Sequence, residues 1–130
     1  MMTKQKGVTL IEMLIVVAII GVISAISYPS YQSYVLKGHR TQAMGDMVKI
    51  QLALEESYTQ NSTYDFSIVS ASTCSFCDND LNKYHLSISS TNPNTYTIIA
   101  EPQFQANNDS CLSNDLTLNQ NGKGTPASCW

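Results

Sequence analysis

The chain opens on a long apolar run, passes into an amphipathic helical pattern, and ends in short alternating segments. No charged side chain occurs from Met13 to Leu36. Val8 to Ser27 is long enough for a helix to cross the hydrocarbon core of a bilayer, which takes about 20 residues. After Lys37-Gly38-His39-Arg40, apolar residues recur every three or four positions at Ala43, Met47, Ile50, Leu54 and Tyr58. Gln42, Asp46, Lys49 and Glu56 fall elsewhere on the wheel. This predicts a helix continuing to about Gln60-Asn61, its stripe packed on a sheet and Met44 and Met47 filling the core. Counted from Val8 it would be about 80 Å long at 1.5 Å per residue. Pro29 removes a backbone donor and is expected to kink it near Ile26. Further on, Tyr84–Ser89 and Thr95–Ala100 flank the turn Thr91-Asn92-Pro93-Asn94, a hairpin signal. Tyr84, Leu86 and Ile88 are predicted to share a face with Tyr96, Ile98 and Ala100. Pro102 should end the second strand. Asp115–Asn119 predicts a third strand, followed by an Asn121-Gly122 turn. His85 falls on the polar face of its strand. The fold class expected is α+β: a long N-terminal helix on a small antiparallel sheet.

One residue breaks the first pattern. Glu12 stands inside the apolar run, where a carboxylate near the centre of a bilayer costs roughly 2.5 kcal/mol or more and therefore needs a partner. A secretory signal peptide would have the same basic start and apolar middle, and Ala25-Ile26-Ser27 even offers a small-x-small exit. Such a peptide gains nothing from Glu12, and neither does a plain membrane anchor. The basic residues Lys4 and Lys6 stop at Gly7, which places a small residue before the apolar segment rather than after it. Lys4 and Lys6 should stay on the cytoplasmic side, with the remainder outside.

Charge and cysteines narrow the chemistry. The net charge of −3 becomes −5 once Lys4 and Lys6 are removed with residues 1–7, and beyond Lys37 four basic residues face nine acidic ones. That balance gives no general footprint for phosphate, so direct nucleic-acid binding is not indicated. Four cysteines outside the cytoplasm read as two disulfides. Cys74-Ser75-Phe76-Cys77 has the spacing of a redox pair, but its polar, acidic surroundings would raise a thiol pKa rather than lower it. Cys111 and Cys129 do not complete a zinc spacing, so no metal is expected. Four cysteines allow three connectivities. Cys74–Cys77 with Cys111–Cys129 is favoured, the latter worth roughly 3 kcal/mol in the chain-entropy model. Asn61-Ser62-Thr63 and Asn108-Asp109-Ser110 fit a glycosylation pattern and are read as chance matches.

The run Lys6-Gly7-Val8-Thr9-Leu10-Ile11-Glu12 with Met13–Gly21, continued by Tyr28-Pro29-Ser30-Tyr31, resembles the prepilin leader and N-terminal helix of type IV pilins. In that family an aspartyl peptidase cuts after the glycine and methylates the new amino terminus. The resemblance implies that Gly7 ends the leader and that Val8, where the family most often has Phe, becomes the methylated N-terminus. Glu12 then becomes the family's assembly glutamate, and Gly21 and Pro29 help the helix bend. Four residues apart, Val8 and Glu12 are expected to share a helix face. The amine that cleavage frees and the carboxylate would then pair between stacked subunits and set axial register. Domains implied are a leader (1–7), a transmembrane and filament-core helix half (8–36) and a periplasmic head (37–130).

The far half resembles PilE-type minor pilins: Thr95–Pro102, Cys111, Leu116-Thr117-Leu118, Gly122-Lys123-Gly124 and Cys129-Trp130. Trp130 is expected to bury its ring on the sheet. The function implied is a minor pilin that primes and joins the fibre, supporting twitching motility, adhesion or DNA uptake. The alternatives are a major pilin or a type II secretion pseudopilin. Partners implied are the major pilin and other minor pilins, the prepilin peptidase, the inner-membrane assembly platform, and the membrane before assembly. No cofactor and no enzymatic activity are implied. The adhesin or DNA-capturing subunit is a separate class, and the acidic balance weakens its DNA version.

Overall fold

The structure, a computed structural model, describes residues 4–104 and 109–130. Residues 1–3 of the expected leader and Asn108 of the second glycosylation pattern lie outside the described residues. One helix, α1 (Leu10–Asn61), runs through two units, Met1–Val35 and Leu36–Trp130.

In the first unit every apolar side chain of the run is exposed, from Val8 and Leu10 to Ile26. No described residue of this unit covers it. An 18-residue window of α1 is apolar enough to cross a membrane by length and composition.

The second unit is built on the remainder of α1. Ala43, Met47, Ile50 and Leu54 are buried, as their spacing predicts. They pack on a four-stranded antiparallel sheet of order β3-β4-β5-β6. Its strands are β3 (Tyr84–Asn92), β4 (Thr95–Pro102), β5 (Leu116–Asn119) and β6 (Gly124–Thr125). Leu86 pairs with Ala100 and Ile88 with Ile98, so the alternating apolar residues share one face. Ile98 and Ala100 continue across to Leu118 and Leu116 on β5. Each fully buried Leu, Ile or Met contributes about 1.5–3 kcal/mol, and this layer is the core. His85, opposite Glu101, is half-buried on the outer face.

The helix ends at Asn61 because Ser62 takes a left-handed conformation (φ 58°) and donates its N–H to the Tyr58 carbonyl at 2.7 Å. A two-stranded hairpin then forms from β1 (Val69–Ser70) and β2 (Thr73–Cys74). Its turn holds both Ala71 (φ 51°) and Ser72 (φ 65°) in left-handed backbone, which hairpin twist favours but these residue types do not. Trp130 departs from the expected burial. It is 39% exposed, with its ring against Gly124, where a Cβ would collide with it, and its indole N–H donates to the Thr125 carbonyl at 3.3 Å.

Candidate assembly site

Residues 4–9 are exposed and outside regular structure, so Gly7 and Val8 precede α1. The helix start is closed by Thr9 and Glu12. The Glu12 carboxylate accepts from the Thr9 backbone N–H at 2.7 Å and from its hydroxyl at 2.8 Å. The Glu12 N–H donates back to the Thr9 Oγ1 at 3.3 Å. This is a capping box, Thr-x-x-Glu, in which two groups of the first turn satisfy one another. The spacing Thr9-x-x-Glu12 is its signal in the sequence. It also corrects the expected geometry: Val8 lies before the helix and shares no helical face with Glu12. The nitrogen of Val8 is here a peptide amide, and the Glu12 carboxylate has Thr9 as its partner.

Gly21 and Pro29 both lie inside α1. A Cβ at Gly21 would meet nothing within 4 Å, so no contact within the chain requires glycine there.

In the head, Asp46 overturns its assignment to the polar side of the wheel. It is fully buried, and both carboxylate oxygens accept from the Asp78 N–H at 3.1 Å. Gln42 donates to the Asp78 carbonyl and Lys49 to its carboxylate, both at 2.7 Å. Positions 42, 46 and 49 of α1 thus grip the backbone and side chain of one loop residue. The bond to Asp78 raises the Lys49 pKa. Asp78 follows Cys77, which is bonded to Cys74, and Cys111 is bonded to Cys129. The first bridge lies in the loop beside α1, and the second ties residue 129 to the segment before β5. Asn79 braces the same loop through Thr73 at 2.6 Å and the Tyr84 carbonyl at 3.0 Å.

At the other end of the head helix, Tyr58 stacks on Tyr64 with ring centroids 4.7 Å apart, and Tyr96 meets Tyr64 edge-on at 4.9 Å. The Tyr96 hydroxyl donates to Glu55 at 2.7 Å. Burial, and then the bond to Glu55, push the Tyr96 phenol well above its usual pKa. Ion pairs engage Arg40 with Asp109 at 3.0 Å, and Lys49 with Asp78 at 2.7 Å and with Asp46 at 3.6 Å. Lys83 lies 4.7 Å over the Phe104 ring. Much of the head's small positive charge is therefore spent on its own fold.

An uncovered apolar helix start and a head of one helix segment on an antiparallel sheet belong to a subunit that completes its packing in an assembly. Comparison with known proteins gives that class a name, the type IV pilins. A family model for the prokaryotic N-terminal methylation motif matches residues 2–28. A solved type IV pilin from Shewanella oneidensis is 27% identical with a TM-score of 0.58, over 73% of this chain and 97% of that one. No curated protein matches the chain. The family model described as "Type IV minor pilin ComP, DNA uptake sequence receptor" matches residues 29–117, and the chain belongs to that family of minor pilins. The pilin resemblance, the α+β pilin fold and the role of structural subunit in the pilus, all expected from the sequence, hold. Assembly with other pilins comes with the family.

Proposed function

We propose that this chain is made as a single-pass inner-membrane prepilin, with its leader cytoplasmic and its head periplasmic, and is then drawn into the fibre. A leader of residues 1–7 is cut between Gly7 and Val8 by a prepilin peptidase, and Val8 is methylated. The exposed, irregular backbone of residues 4–9 supports this, because a peptidase needs an extended strand rather than a helix. Residues 8–36 serve as membrane anchor and then as filament core, with Gly21 and Pro29 easing a bend. Residues 37–130 form the head. The inner-membrane assembly platform and the major pilin are the partners, and the chain primes assembly. Twitching motility, adhesion or DNA uptake follow from the fibre. The cysteines are structural, and the chain carries out no catalysis.

The observation that carries this reading is Glu12, a carboxylate at the head of an otherwise apolar, uncovered helix start. After cleavage, the Val8 amine becomes a cation close to it in sequence. Each charge alone is costly in hydrocarbon, and pairing between neighbouring subunits compensates both. Register follows from that pairing more than stability does. Glu12→Ala is expected to insert in the membrane at the normal level and to be depleted severalfold from sheared fibres. Normal incorporation would refute the role of Glu12.

The family description favours a second reading, direct capture of DNA. The ion pairs of Arg40 and Lys49 and the acidic balance of the head weigh against it. A gel-shift titration with duplex DNA separates the two. Retardation at physiological salt supports capture, whereas binding only at low salt supports a purely structural subunit.

A further inference from the structure

We propose that Tyr28, Tyr31 and Tyr34 form an interfacial anchor that binds the headgroup layer of the outward-facing leaflet and fixes the depth of Glu12 before assembly. The inference rests on the membrane-inserted reading above. Three of the chain's seven tyrosines fall between positions 28 and 34, and no aromatic residue occurs from Val8 to Ser27. All three rings are open, at 66%, 67% and 76% exposure. Spaced three apart on α1, they occupy one broad side of the helix.

Their height fits the headgroup layer. Leu10–Ser27 covers 18 residues of α1, about 27 Å at 1.5 Å per residue and close to the hydrocarbon thickness. Tyr28 then stands at its outer boundary. Tyr34 lies six residues on, about 9 Å further out. Helical side chains lean back toward the N-terminus, which returns the outer ring to the layer. Tyrosine suits that layer, having an apolar ring and a hydroxyl that must stay wet. The Tyr28 hydroxyl already accepts from the Gln32 amide at 3.0 Å, so its polar end is turned to polar surroundings. Lys37, the next charged residue, follows Tyr34 after two apolar residues, Val35 and Leu36.

The anchor has a consequence at the other end of the span. Glu12 is 16 residues before Tyr28, about 24 Å along the helix. With Tyr28 held at the outer boundary, the Glu12 carboxylate lies just inside the cytoplasmic boundary. Water and its Thr9 cap can serve it there until a neighbouring subunit arrives.

The test uses the full chain in spheroplasts of a host without pilus assembly proteins, so that the subunit stays in the bilayer. All four native cysteines are bonded, so an introduced thiol is the reporter. Ser24→Cys, Ser27→Cys and Ser33→Cys are labelled from outside with a membrane-impermeant maleimide. Ser33→Cys should label readily, Ser24→Cys should be protected, and Ser27→Cys should label slowly. Replacing all three tyrosines by Ser should change Ser27→Cys labelling severalfold, whereas replacing them by Trp should leave it near the wild-type rate. Carbonate extraction confirms that each variant is inserted, and the Trp set retains the test if the Ser set fails to insert. Unchanged labelling in the Ser set would overturn the anchor, and if the same set also lost incorporation in a separate fibre-forming host, the rings would belong to contacts between subunits. Equal labelling at Ser24→Cys and Ser33→Cys in the wild-type background would instead remove the membrane span itself.

Discussion

Asp46 shows most clearly what a single residue does in this head. It is a carboxylate with no exposed surface, and its need for hydrogen bonds is met by the backbone of Asp78, with Lys49 3.6 Å away. Removing the acceptor takes a charged partner from the Asp78 N–H, and a hydrogen bond to a charged group is worth about 1.5–3 kcal/mol. Asp46→Leu should therefore lower the thermal midpoint of the full chain in detergent by several degrees, while Asp46→Asn, which retains one acceptor oxygen, loses less. A helical wheel could not reveal this. It places Asp46 on the polar side, and the partner that reverses the assignment lies 32 residues away. Glu12 is legible because the run from Leu10 to Ile26 is otherwise almost wholly apolar, whereas its Thr9 partner shows only as a Thr-x-x-Glu spacing. Tyr96 allows a pH test. Its folded pKa is raised, so the protonated phenol is the form that the fold favours. The resulting stability is complete below the unfolded value, about 10 for Tyr, and is lost as pH rises beyond it. Tyr64 and Tyr84 shift in the same direction. The thermal midpoint should be flat up to about pH 9 and fall above pH 10, and Tyr96→Phe should fall less steeply.

At the scale of elements, two kinds of signal were readable. The 3.6-residue period located α1, and alternation around Asn92-Pro93 located the β3–β4 hairpin with its correct inward face. The two-residue strands β1, β2 and β6 were not readable. Such strands are too short for a period, and the β1–β2 turn uses Ala71 and Ser72 where a sequence rule looks for Asn or Gly. The burial of Trp130 was overestimated because its ring rests on Gly124 at the end of β6, an element the sequence did not announce. The two bridges differ in leverage. Cys111–Cys129 closes the longer loop, and replacing both residues by Ser should cost about 3 kcal/mol in the chain-entropy model. Cys74–Cys77 closes a far shorter loop and should cost about 2 kcal/mol on the same basis. Denaturant midpoints of the two double-serine variants in detergent check this order. A larger loss from Cys74/Cys77 would mean that the Asp78 grip depends on that bridge.

For the whole molecule, exposed apolar surface is the organising fact. Val8 to Ile26 presents apolar side chains left exposed among the described residues, and a bilayer and then a filament are the surroundings that resolve this. The head is self-sufficient by comparison, with a buried core, two disulfides, and Arg40 and Lys49 held in ion pairs. Sequence conveyed this division because it follows from composition along the chain. Stoichiometry depends on surfaces presented to other subunits, and it entered through the family to which the chain belongs. The central claim is that the chain is a minor structural subunit of the fibre, and quantitative mass spectrometry of sheared, purified pili tests it most directly. The account predicts that peptides of this chain co-purify with the fibre as a small fraction of the main subunit. Their absence from the fibre, or their dominance in it, would contradict the account.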